Sequence, residues 1–137
     1  MLLLDTPVWI WTASGDTRRL GQKTRRLIAR AEAQGSVGIS VLSIFELTAL
    51  HTLGRLRLTR LPSEWVRESI ERSALRVFDL DPAAAIDAGS IPGTALADPI
   101  DRLLVATARR TGARFLSADQ RILDYAAGEV RVHDART

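Results

Sequence analysis

Cysteine is absent from the 137 residues, which excludes a disulfide framework, a thiolate nucleophile and a cysteine-bound zinc centre. Lysine is nearly absent: of the 19 basic residues all but Lys23 are arginine. Histidine occurs only at His51 and His133, so little imidazole is available for proton transfer. No G-x-S-x-G elbow, Walker A loop or G-x-G-x-x-G fingerprint is present, nor any internal repeat or low-complexity tract. Long apolar runs are missing too. The opening MLLLDTPVWIWTASGD has no basic leader, reaches Asp5 after three leucines, and nothing later approaches the ~20 apolar residues of a membrane span. The expectation is a soluble, cytoplasmic protein without membrane contact.

What is present is enough apolar residue, 46%, to bury one core, and the length predicts a single domain over 1–137. The formal net charge is only +3. Arginine matches phosphate with two parallel hydrogen bonds and is less strongly hydrated than lysine, which makes a nucleic-acid partner reasonable. An arginine-rich solvated helix surface accounts for the same composition.

Period and punctuation divide the chain into alternating elements. Leu2 to Leu4 reads as a short strand, Asp16 to Gln34 as a helix, Val37 to Ser40 as a strand, and Ser43 to Leu53 as a helix closed by Gly54. Pro62 opens a helix to about Leu75, Arg76 to Leu80 makes a strand, and Asp81-Pro82 starts a short helix that ends before Pro92-Gly93. Asp98-Pro99 launches a long helix to Thr111, followed by strand Arg114 to Ser117, helix Asp119 to Ala126 and strand Val130 to Val132. Five strands alternating with helices predict an α/β fold with a mainly parallel sheet covered on both faces, and ligands at the carboxyl ends of its strands.

The acidic residues fall at that end. Asp5 closes the first strand, Glu46 lies one turn into the helix after strand two, Asp98 and Asp101 flank the start of the long helix, and Asp119 follows strand four. Carboxylates brought within a few Å of one another need a cation, and oxygen donors without cysteine favour Mg²⁺ or Mn²⁺. A hard cation there suits phosphodiester hydrolysis. Each acid also has a purely structural account. Ser43-Ile-Phe-Glu46 has the form of a capping box, Asp98-Pro-Ile-Asp101 of an N-cap followed by proline and an acid, Asp119 of a cap, and Asp5 of an Asx-turn. Trp9 and Trp11 read as core or dimer packing, with stacking on bases as the other account, and His51 and His133 as incidental. Arg102 reads as a phosphate contact or as the ion-pair partner of a neighbouring carboxylate.

The segments LLLDT at 2–6, SVLSIFELTAL at 40–50, LGRL at 53–56, ADPIDRLLVATA at 97–108 and FLSAD at 115–119 resemble PIN-domain proteins, and VapC toxins most closely. They cover nearly the whole chain in family order. The resemblance implies a three-layer α/β/α sandwich around a five-stranded, mainly parallel sheet. It also implies a Mg²⁺- or Mn²⁺-dependent endoribonuclease, the toxin of a toxin-antitoxin pair, which cuts particular cellular RNAs and so inhibits translation. By position it assigns Asp5, Glu46, Asp101 and Asp119 to catalysis and metal binding, with Asp98 as an auxiliary acid that binds metal directly, binds it through water or only caps the helix, and with Thr6 and Ser117 as hydroxyls that orient the acids or a metal-bound water. An antitoxin partner and a homodimer follow from the same likeness. Many relatives carry a histidine or basic residue before DPxDR and a histidine after the opening Asp-Thr, where this chain has Leu96-Ala97 and Pro7. Two other classes compete with the nuclease. One is a non-catalytic module that holds an antitoxin-like helix. The other is a phosphatase or phospho-acceptor domain, which needs a pocket lysine that Lys23 is poorly placed to supply.

Overall fold

The computed structural model describes residues 1–137. Strands β1 (Leu2–Leu4), β2 (Val37–Ser40), β3 (Arg76–Phe78), β4 (Arg114–Ser117) and β5 (Val132–Asp134) form one sheet in the order β3-β2-β1-β4-β5. Every neighbouring pair is parallel, so each connection must cross the sheet, and helices make those crossings. They are α1 (Thr6–Ser14), α2 (Gln22–Ala33), α3 (Val41–Thr52), α4 (Pro62–Arg72), α5 (Pro82–Gly89), α6 (Pro99–Thr111) and α7 (Gln120–Ala126). No helix is long and apolar enough to cross a membrane. Strand order runs outward from β1 in both directions, which makes the β1/β4 junction the switch point where a crevice opens at the carboxyl ends.

Strand alternation builds the layers. Leu2 and Leu4 face a core with Trp9, Ile28, Leu47 and Trp65, while Leu3 between them faces a second core with Leu104, Val105, Phe115 and Ile122. The first core is closed by α1 to α4, the second by α6 and α7, and α5 packs Ala84 and Ala88 on Ala106 of α6. The result is the three-layer α/β/α sandwich. Within the first layer the Trp9 indole N–H donates to Ser69 Oγ at 2.8 Å, and its ring meets Trp65 edge-on at 5.4 Å, so α1 is pinned to α4.

The elements differ from the sequence expectation in particular places. The segment after Asp5 is the helix α1, although Thr-Pro-Val-Trp-Ile-Trp is apolar nearly all round and rich in poor helix formers. Asp5 caps it, Pro7 lies in its first turn, and Gly15 ends it at φ +76°. The expected helix from Asp16 is a 3₁₀ turn over Thr17–Arg19 and an extended Leu20, with α2 beginning only at Gln22. Helix α4 stops at Arg72, and β5 lies two residues beyond the Val130 to Val132 expectation.

Gly38, in the buried β2, has no room for a side chain. A Cβ there would lie 2.4 Å from Phe78 Cε2 and 3.1 Å from the Arg76 carbonyl oxygen on β3. Gly38→Ala is expected to lower unfolding stability by about 1–3 kcal/mol in urea titrations, as overpacking does. In a Phe78→Ala background the same substitution should cost clearly less.

Candidate active site

Asp5 sits where β1 becomes α1, only 4% exposed. Its backbone N–H donates to the Leu116 carbonyl of β4 at 2.9 Å, which fixes the strand end. Oδ1 accepts the Thr6 N–H at 2.9 Å, and Oδ2 accepts the Ser117 hydroxyl at 2.6 Å. The Ser117 oxygen in turn accepts the Asp119 N–H at 3.1 Å. One buried hydroxyl therefore ties the acid of β1 to the acid that follows β4.

Glu46 reaches the same place by a different route from the one its motif predicts. Ser40, at the end of β2, caps α3 by accepting the Leu42 N–H at 3.0 Å, so Ser43 is an interior helical residue and no capping box forms. Ser43 is fully buried and accepts the Thr6 hydroxyl at 2.8 Å. That bond joins the first turns of α1 and α3 and leaves Glu46, one turn further on, facing the crevice. Asp98 caps α6 through the Ile100 N–H at 2.8 Å, and Asp101 follows in the helix's first turn. Asp119 caps α7 through the Arg121 N–H at 2.9 Å.

These residues line one open cleft of about 340 Å³, whose walls are Asp5, Glu46, Asp98, Asp101, Asp119, Pro7, Trp11, Ala118 and Arg121. A larger cavity of about 650 Å³, bordered by Thr12, Arg25, Glu32 and Arg72, contains none of the predicted acids, so size does not mark the chemistry. All five predicted acids meet in the cleft, but no three stand at the spacing of a closed metal-ligand set. Their donor chemistry, oxygen alone with several carboxyls and no sulfur or imidazole, fits a hard divalent cation.

The cleft's electrostatics follow from crowding. Burial pushes the Asp5 carboxyl from 3.8 up to about 6 against the pull of its Ser117 and Thr6 hydrogen bonds, and Glu46 and Asp119 add repulsion. Burial, then the Asp98, Asp5, Asp119 and Glu46 carboxylates, push Asp101 up to about 7. Asp119 moves the other way, below the usual carboxylate range, chiefly because the Arg121 side chain donates to it. The guanidinium meets Oδ2 through Nη2 at 3.0 Å and Oδ1 through Nε at 3.3 Å.

Two residues on the cleft wall are not among the predicted site residues. Trp11 is one, because its Pro7-to-Trp11 spacing of four residues has meaning only once α1 is known to be a helix. Arg121 is the other, and its position two residues after the Asp119 cap was the available signal. Arg102, expected at a phosphate or paired with a neighbouring carboxylate, forms no ion pair. It turns toward the Ile91 and Ala97 carbonyls at 3.5 Å, lines a separate hollow beside Ala85 and Leu103, and keeps a buried Nε without a partner. His133 bonds Thr24 across β5 and α2 at 2.8 Å and does not line the cleft.

Raised carboxyl pKa values favour the protonated, folded form. The Asp5 and Asp101 contributions are therefore fully present below the unfolded value of about 3.9 and are lost as pH rises through about 6 and 7. In EDTA, Asp101→Asn is expected to melt higher than the parent protein at pH 8, with the difference shrinking toward pH 5. A difference in Tm that stays constant across this range would show that Asp101 is not held above the ordinary carboxyl range.

The PIN domain family matches residues 2–128 of the chain. The protein is 30% identical over 121 residues to Ribonuclease VapC22 of Mycobacterium tuberculosis, a match that covers 88% of each chain. It superposes with a TM-score of 0.63 on a chain from the structure of FitAB bound to an IR36 DNA fragment, covering 100% of this chain and 96% of the other at 18% identity, a likeness of fold. With a family match over nearly its whole length, a VapC ribonuclease as relative and the sandwich topology in common, the chain belongs to the PIN-domain family.

Proposed function

We propose that this protein is a Mg²⁺- or Mn²⁺-dependent endoribonuclease of the VapC toxin type, which cuts specific cellular RNA and thereby inhibits translation. The observation that carries the reading is the meeting, in one cleft, of five carboxyl groups from four separate chain segments, four of them at strand ends or helix starts and Glu46 one turn into α3. Similarity to a protein named as a ribonuclease supports the choice of RNA as substrate.

In this reading Asp5, Glu46, Asp101 and Asp119 hold the cation, and Asp98 assists from the rim. The cation supplies charge neutralisation for an in-line displacement at phosphorus and a lowered pKa for the attacking water. The chain's own part is positioning. Asp5 is locked by the Thr6 amide and the Ser117 hydroxyl, so its carboxylate is aimed before any ligand arrives. Thr6 and Ser43 hold α1 and α3 together, which sets the separation of Asp5 and Glu46. Trp11 and Pro7 form the apolar wall of the cleft, where a sugar or base edge can rest. The same reading carries a cognate antitoxin as partner, a homodimer as the working form, a cytoplasmic setting and one domain over 1–137.

Purified protein, free of antitoxin, is expected to release discrete fragments from total cellular RNA with Mg²⁺ or Mn²⁺ and none in EDTA. Asp5→Asn should reduce cleavage at least a hundredfold while keeping a cooperative melt, since an amide oxygen still accepts the Thr6 N–H. Equal cleavage by Asp5→Asn, or cleavage that persists in EDTA, would overturn the metal-site reading. Absence of cleavage by the folded protein in either metal would favour a module that binds its partner without catalysis.

A further inference from the structure

Arg121 is the one basic side chain on a cleft wall that carries five carboxyl groups, and it is already engaged there. Its guanidinium closes on both oxygens of Asp119, at 3.3 Å through Nε and 3.0 Å through Nη2, and lies within the field of Asp98 and Asp101. Asp119 receives no other charged partner, because its remaining contacts are backbone N–H groups at the start of α7, those of Arg121 and Ile122. An acid needed as a cation ligand is therefore occupied from within the chain.

The occupation is shallow. The Arg121 side chain is 79% exposed, and ion pairs of that kind are weak and screened by salt. A divalent ion in the cleft meets several carboxylates at once and carries twice the charge. Arg121 also has somewhere to go. It borders a second hollow of about 230 Å³, walled by the Gly93 to Ala97 segment, which shares Asp98, Asp101 and Arg121 with the cleft.

We propose that Arg121 is an internal counter-ion of the acidic cleft, which holds Asp119 until a divalent cation displaces it and is then free at the rim to take a phosphate of the RNA. Arg121 thus competes with the metal for Asp119 and becomes a contact residue for the substrate. The inference rests on the metal-site reading above. In the metal-free state the pair offsets part of the repulsion among the acids, and on loading the guanidinium moves from a carboxylate to a phosphate, both of which it can grip with two hydrogen bonds.

Two measurements on the folded chain test this. The first is Mn²⁺ binding followed by electron paramagnetic resonance without RNA. Arg121→Gln is expected to bind about threefold tighter or better, the scale of an exposed ion pair, and Arg121→Lys, which keeps the charge but not the fork, should fall between. Arg110→Gln removes the same charge from the exposed last turn of α6 and should leave the affinity unchanged. The second is the Arg121 Nε–H resonance during Mg²⁺ titration, expected to shift with the same midpoint as the cleft's metal occupancy. With saturating metal, Arg121→Gln should also raise KM for RNA more than it lowers kcat. Metal binding with an unmoved Arg121 resonance, or equal Mn²⁺ affinity in Arg121→Gln, would overturn the counter-ion and leave the metal site standing. Failure of either ion to bind would overturn both.

Discussion

The burial of one carboxyl group governs the arrangement of this site. Asp5 ends the central strand of the sheet, almost completely removed from water, in a position where an unpartnered charge is too costly to retain. Its two oxygens are met by the first amide of α1 and by the hydroxyl at the end of β4. Both partners exist only because β1 lies between β2 and β4 in an all-parallel sheet, with α1 leaving directly from its end. The same hydroxyl accepts the amide of Asp119. The sheet's switch point, the helix start and the second acid are thereby fastened to one another through a few short bonds.

Capping and convergence on the cleft, which the sequence presents as alternatives, coincide here. Asp5, Asp98 and Asp119 are N-caps of α1, α6 and α7, and each carries out that role with an oxygen on a backbone N–H. Capping a helix that starts at the carboxyl edge of a parallel sheet aims the side chain at the crevice above the strands. The geometry that makes each acid look ordinary is the geometry that collects them. Glu46 is different, since the expected cap role is filled by Ser40 and leaves Ser43 free to bond Thr6.

The strands and the longer helices could be read from the sequence because each is short, apolar and bounded by glycine, proline or aspartate. The amphipathic run of α6, Pro99–Thr111, agrees with the helix expected from Asp98-Pro99 to about Thr111. Helix α1 does not show in the pattern, because a segment that is apolar nearly all round has no polar face and therefore no period to detect. That one omission hid Trp11 from the cleft and turned the Asp5 cap into an apparent turn. Arg102 and Arg121 show the converse limit. Both stand beside site acids in the chain, and the direction of a long side chain depends on partners distant in sequence. Arg102 is drawn to carbonyls at Ile91 and Ala97, whereas Arg121 folds back on its own cap.

Stability alone does not account for the choice of residues. A serine or asparagine caps a helix about as well as an aspartate, so three aspartate caps converging with Glu46 and Asp101 exceed what the helices require. Helix N-termini do favour negative charge, and three of them open on this cleft. Their attraction is insufficient, since burial and mutual repulsion still hold Asp101 near neutrality and raise Asp5 well above the ordinary carboxyl range. A cleft that raises the pKa of two of its carboxyl groups against the pull of three helix ends carries more negative charge than the protein itself balances. A cation is the economical remedy, and the chain's only local substitute is one exposed guanidinium.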